Sequence, residues 1–106
     1  RNVIAGHVIS AIIGSSLYQI FGSESIWVCP LAVSLAIFTQ QLTRTIHPPC
    51  GATALIAVRG GDPIHQLGFF YPLFTVFAGS TIMVVVAVII HSFSRDHTRN
   101  YPTYWL

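Results

Sequence analysis

An all-α membrane protein, with three transmembrane helices and one discontinuous, proline-broken half-helix, is the fold class this 106-residue sequence predicts. Three observations predict it. Only 8% of the residues are charged and 53% are hydrophobic, against roughly 25% charged in an ordinary soluble domain. Charge-free runs long enough to cross a bilayer occur three times, at residues 3–21, 26–43 and 69–93. Between the last two lies an apolar stretch, CGATALIAV, too short to cross as a helix and preceded by two prolines.

The first run, residues 3–21, covers about 28 Å as a helix, close to a hydrocarbon core. Gly6, Ser10 and Gly14 recur in it every four residues, a small-residue face that lets another helix backbone approach closely. Gly22 to Ser25 supply a polar turn, and residues 26–43 give the second helix, with Pro30 in its first turn, where a missing backbone donor costs little. Ala32, Ala36 and Gln40 share a face of this helix, and a glutamine in a lipid-spanning segment needs a partner, so that face is expected to point inward. Residues 69–93, with Pro72 near the start, form the longest helix. Beyond them, Arg95, Asp96 and Arg99 precede Tyr101, Tyr104 and Trp105, an expected interfacial anchor. The chain begins at Arg1 and its only methionine is Met83, so further residues are expected upstream.

Composition also excludes function classes. Five arginines, no lysine and three acids leave a dispersed formal charge of +2, too little for nucleic acid binding. Cys29 and Cys50 lack CxxC spacing and the five histidines show no metal-binding spacing, so no disulfide framework, metal site or cofactor is expected. Paired carboxylates, GxSxG, HExxH and phosphate-loop patterns are absent, which argues against an enzyme.

The short segment carries the candidate site. If residues 51–58 are helical they cover about 12 Å, and Thr45 to Pro49, extended, add about 17 Å. The segment either dips in and returns, or crosses as a half-extended, half-helical element. Crossing places Arg1, Arg44, Arg95 and Arg99 on one side and Arg59 on the other, which fits the positive-inside tendency better. Each proline biases the residue before it away from helix, so His47 and Pro48 are expected to be extended, with Pro49 opening the half-helix. The N–H groups of Cys50 and Gly51 would then be free at a helix N-terminus, a setting suited to anions. Ala52 and Thr53 keep this mouth small, and the Thr53 hydroxyl adds a donor. His47 stands beside it, either coupling anion binding to protons near neutral pH or capping backbone carbonyls as a neutral ring. His7, bordering the small-residue face, is the second histidine of interest.

The stretch HPPCGATALIAV resembles the signature of the HPP family of multi-pass membrane proteins, through His47, Pro48, Pro49, Gly51, Ala52, Thr53 and Ala54. RNVIAGH, with Arg1, Asn2, Gly6 and His7, and YPTYWL resemble two further family stretches. Ala5 stands where a glycine is usual and Cys50 where alanine is frequent. The resemblance covers nearly the whole chain, residues 1–106 as a single HPP-type transmembrane domain. It implies about four membrane-spanning elements and, for some plant and cyanobacterial members, nitrite transport, in plants at the chloroplast envelope. Relatives also carry an upstream hydrophobic segment with a Gly-Ala-Ser-Ala run, so this chain is expected to be the C-terminal part of a four-span bundle.

Two functions follow as expectations. The first is transport of a small inorganic anion, nitrite-like, through a site formed by His47, Cys50, Gly51, Ala52 and Thr53. The second is a non-transporting accessory subunit of a larger membrane complex, packed through Gly6, Ser10 and Gly14. Expected partners are the lipid bilayer, a small anion, and other membrane subunits or further copies of the chain. The expected location is an organelle membrane, mitochondrial inner or chloroplast envelope, or a bacterial inner membrane. A polar cavity would favour transport, and partner helices over the Gly6 face would favour the subunit.

Overall fold

The structure, a computed structural model, describes residues 1–93, so the expected anchor at Tyr101, Tyr104 and Trp105 lies outside the described residues. Helix α1 (Asn2–Phe21) buries a face made of Gly6, Ser10, Ala11, Gly14, Ser15 and Leu17. Five of these six are small. In a bilayer the lipid is as apolar as a helix, so helices associate by close contact rather than by expelling water, and small residues permit that contact. Helix α3 (Cys50–Arg59) occupies the face. A Cβ at Gly14 would sit 2.5 Å from the Ala54 carbonyl oxygen and 2.7 Å from the Ala57 Cβ. A Cβ at Gly6 would meet the Cys50 Sγ at 2.9 Å and the Thr45 carbonyl oxygen at 3.0 Å.

These contacts fix the direction of the short segment. Its entry, Thr45 and Cys50, lies against Gly6 near the start of α1, and its middle lies against Gly14. At its end Arg59 Nη1 donates to the Ser23 carbonyl at 3.5 Å, just beyond the end of α1, and past it the His65 ring stacks on Tyr18 with centroids 3.6 Å apart. Helix α3 therefore runs alongside α1 in the same direction and does not double back. Helix α2 (Val28–Leu42) runs the other way, its Gln40 reaching Ser10. Val28, Ala32 and Ala36 on α2, Leu17 on α1 and Ala54 and Val58 on α3 form the core between the three helices.

Several elements differ from expectation. Among the described residues two helical stretches reach spanning length, Asn2–Phe21 and Tyr71–Phe93, where three were expected. Helix α2 has 15 residues. Residues before Val28 are taken into a turn, closed by the Val28 N–H on the Ser25 carbonyl. A short helix not among the expected elements, α4 (Asp62–Leu67), joins α3 to the last stretch; Pro63 suits a first helical turn, and Gly61 supplies the preceding φ of 80°. The last stretch is not uniform: Tyr71–Val76 is π-helical and continues into α5 (Phe77–Phe93). Pro72 supplies no N–H to that first turn. The i→i+5 repeat of a π-helix brings Tyr71 and Val76 onto one side, where both pack with Ala11 and Ala57. In α5 only Ser80 and Val84 are buried.

Helix α2 closes with the two bonds of a Schellman motif, the Thr45 N–H to the Gln40 carbonyl at 2.9 Å and the Arg44 N–H to the Gln41 carbonyl at 3.3 Å. The left-handed position this requires, usually glycine, is Arg44 at φ 53°. Arg44→Val should lower the thermal midpoint of the detergent-solubilised protein, because a β-branched residue resists that conformation, whereas Arg44→Gly should not. Gly14→Ala should cost about 1–3 kcal/mol by forcing α1 from α3, while Gly79→Ala, with nothing within 4 Å, should be close to neutral in the same assay.

Candidate functional site

The site is organised by one buried amide. Gln40, 3% exposed, donates from Nε2 to the Ser10 Oγ at 2.9 Å and accepts at Oε1 from the His47 N–H at 3.0 Å. It thus ties α2 to α1 and holds the segment between α2 and α3 against both. Thr43 and Thr45 share a hydroxyl bond of 2.7 Å, and Arg1 Nη2 donates to the Thr43 carbonyl at 3.3 Å. The outcome is a fixed position for His47, whose ring lies edge-on to His7 with centroids 5.3 Å apart.

His7 projects from the second turn of α1 and shares a 2.7 Å hydrogen bond, through Nδ1, with Thr53 Oγ1 on α3. A ring nitrogen of each histidine and the Cys50 Sγ all lie within 4.8 Å of one another. Cys50 is fully buried because Gly6 leaves room for its sulfur. The Nε2 atoms of both histidines are buried without a hydrogen-bond partner. The two histidines stand 40 positions apart, and their spacing in sequence gives no metal-binding pattern; the parallel run of α1 and α3 brings them together.

The backbone at the half-helix mouth differs from expectation. The N–H groups of Cys50, Gly51 and Ala52 are bonded to the carbonyls of His47, Pro48 and Pro49 at 3.0, 3.3 and 3.1 Å. His47 to Cys50 is therefore a turn, not an extended approach, and it consumes the donors that were expected to be free. Pro49, at φ −60° and ψ −16°, is already in the helical region, so the three-residue bonding of a tightened first turn begins before the helix proper. Gly51 is buried with Val33 as the neighbour a Cβ would meet, at 3.5 Å, and Ala52 is exposed. Of the five expected site residues, His47 and Cys50 converge with His7, Thr53 faces a cleft, and Gly51 and Ala52 do neither.

The cleft is a space of about 170 Å³ between α1, α3 and the last helix, lined by His7, Thr53, Tyr71, Thr75, Ser80 and Met83 with Val76 and Gly79. Thr75 and Ser80 were not singled out from sequence. Their only signal is that they are hydroxyls inside a 23-residue apolar stretch. Asn2 sits at the start of α1 with its Oδ1 buried and unpartnered.

A chain of apolar helices that turns large hydrophobics such as Ile82, Ile90 and Phe93 outward and gathers glutamine, histidine and hydroxyl groups inside is an integral membrane protein. It belongs to the HPP family, whose transmembrane region matches residues 1–102. Two transmembrane proteins of Dictyostelium discoideum are each 40% identical to it over 108 residues, covering 99% of this chain and 37% and 34% of their own lengths. The chain thus spans about a third of the length of the curated relatives it matches. No solved structure matches it significantly.

Replacing Gln40 by Leu removes both partners at once, leaving the Ser10 hydroxyl and the His47 N–H without their bonds. A loss of about 2–4 kcal/mol is expected, from one to two kcal/mol for each stranded group, and should be read as a lower thermal midpoint.

Proposed function

We propose that this protein carries a small inorganic anion across a membrane, and that the cleft between α1, α3 and the last helix is where the anion binds. The observation that supports this is the lining. Thr53, Tyr71 and Thr75 bring hydroxyl hydrogens to it, with His7 bonded to Thr53 behind them and the Ser80 hydroxyl bonded to the Phe77 carbonyl, and no carboxylate lies among the lining residues that are described. An anion stripped of water needs donors around it, and a neighbouring carboxylate would repel it. At roughly 30 Å³ per water, the cleft has room for a small ion and a few waters.

In this reading α1, α2, α3 with its approach, and Tyr71–Phe93 are the four crossing elements, and α5 faces lipid along most of its length. Nitrite is the candidate substrate that the family resemblance suggests. The protein moves its substrate without chemistry and is not an enzyme. The bilayer of an organelle or a bacterial inner membrane is its setting. One support for the alternative of an accessory subunit was the close-packing face of Gly6, Ser10 and Gly14. That face is packed against α3 and α2 of the same chain, which leaves it nothing to offer a partner.

Nitrite uptake by proteoliposomes tests the reading. Thr53→Val and Thr75→Val should each lower uptake, by about tenfold for the loss of one hydrogen bond to a charged ligand. Gly51→Ala should leave uptake unchanged, because the residue does not line the cleft. Uptake that survives the Thr53→Val, Thr75→Val double variant would remove the cleft from the pathway; no uptake by the unmodified protein would end the transport reading.

A further inference from the structure

We infer that His7, His47 and Cys50 form a binding site for a zinc-class divalent cation, independent of whether the protein transports anions. One donor atom from each lies within 4.8 Å of the others. Bound to zinc at about 2.0–2.1 Å for nitrogen and 2.3 Å for sulfur, tetrahedral ligands stand about 3.5 Å apart. A side-chain adjustment on the order of 1 Å closes the site, and the backbone need not move.

Three further features fit a ligand set. The Nε2 atoms of both histidines are buried with no hydrogen-bond partner, an arrangement that is costly unless something occupies them. His7 already has the outer support of a metal ligand: its Nδ1 bonds to Thr53 Oγ1, so with metal on Nε2 the proton sits on Nδ1 and donates to the hydroxyl. His47 is held by its own backbone bond to Gln40, and Cys50 by the adjoining turn, so the donors are positioned before any ion arrives.

Two neutral imidazoles and one thiolate suit zinc. Binding releases the Cys50 proton to solvent and leaves a net single positive charge, with the fourth coordination position open to water. The ion would fasten the second turn of α1 to the start of α3, where Gly6 has made the approach close enough.

Cobalt(II), a spectroscopic probe of zinc sites, tests this on the whole purified protein in detergent. The expected result is one Co²⁺ per chain with a thiolate-to-metal charge-transfer band, kept in Cys29→Ser and lost in Cys50→Ser. Cys29 and Cys50 are both free thiols, so the pair of variants identifies the sulfur. His47→Asn should abolish the band independently of the cysteine, and Thr53→Val should weaken affinity about 10- to 100-fold by removing the outer partner of His7. Zn²⁺ should raise the thermal midpoint of the unmodified protein in a concentration-dependent way. A titration of the unmodified protein without the band, or a band that persists in Cys50→Ser, overturns the site.

Discussion

The course of the chain between α2 and α3, and with it the place of His47, depends on the Gln40 amide. A primary amide is one of few neutral side chains that can donate and accept in opposite directions at once. Gln40 uses both ends, on the Ser10 hydroxyl and the His47 N–H. In a bilayer, where no water competes for them, neither group can be left alone cheaply. The non-helical stretch between α2 and α3 is tolerated because its polar atoms are answered from inside the chain: by this amide, by the threonine pair at 43 and 45, and by the turn over the two prolines. With the stretch so held, His47 comes to rest beside His7, and the site follows.

Much of the fold was legible in the sequence, for reasons that can be named. Charge-free runs and polar turns report membrane helices directly, because the cost of burying a charge in lipid is large. The four-residue spacing of Gly6, Ser10 and Gly14 reported a close approach, but a spacing cannot say which helix approaches. The structure supplies α3 as the neighbour, from within the same chain. The π-helical opening at Tyr71 and the small helix α4 were not legible, since neither has a residue pattern separable from an ordinary helix start or a polar loop.

At the candidate site the sequence drew out the residues that come together more than the backbone that joins them. Two prolines before a short apolar run drew attention to residues 47–53, of which His47, Cys50 and Thr53 lie beside His7. The free N–H groups read there depend on how His47, Pro48 and Pro49 fold, and their carbonyls turn back to take those donors. The histidines are the opposite case. Their separation in sequence concealed a proximity that only the parallel course of α1 and α3 creates. Side-chain convergence between distant segments is a property of the topology, and spacing along the chain carries no trace of it.

The π-helical turn at Tyr71–Val76 has a consequence for the rest of the helix it opens. Each residue of an α-helix advances about 100° around the axis, and the wider π turn holds back the phase of everything after it by roughly one such step. Ser80 and Val84, which are the buried residues of α5, face the bundle in that retarded phase. An ordinary α-helical start at Tyr71 would swing their side of the helix toward lipid and bring a wholly apolar side to the cleft. One irregular turn acts as the key that sets the angular position of the wall opposite His7 and Thr53.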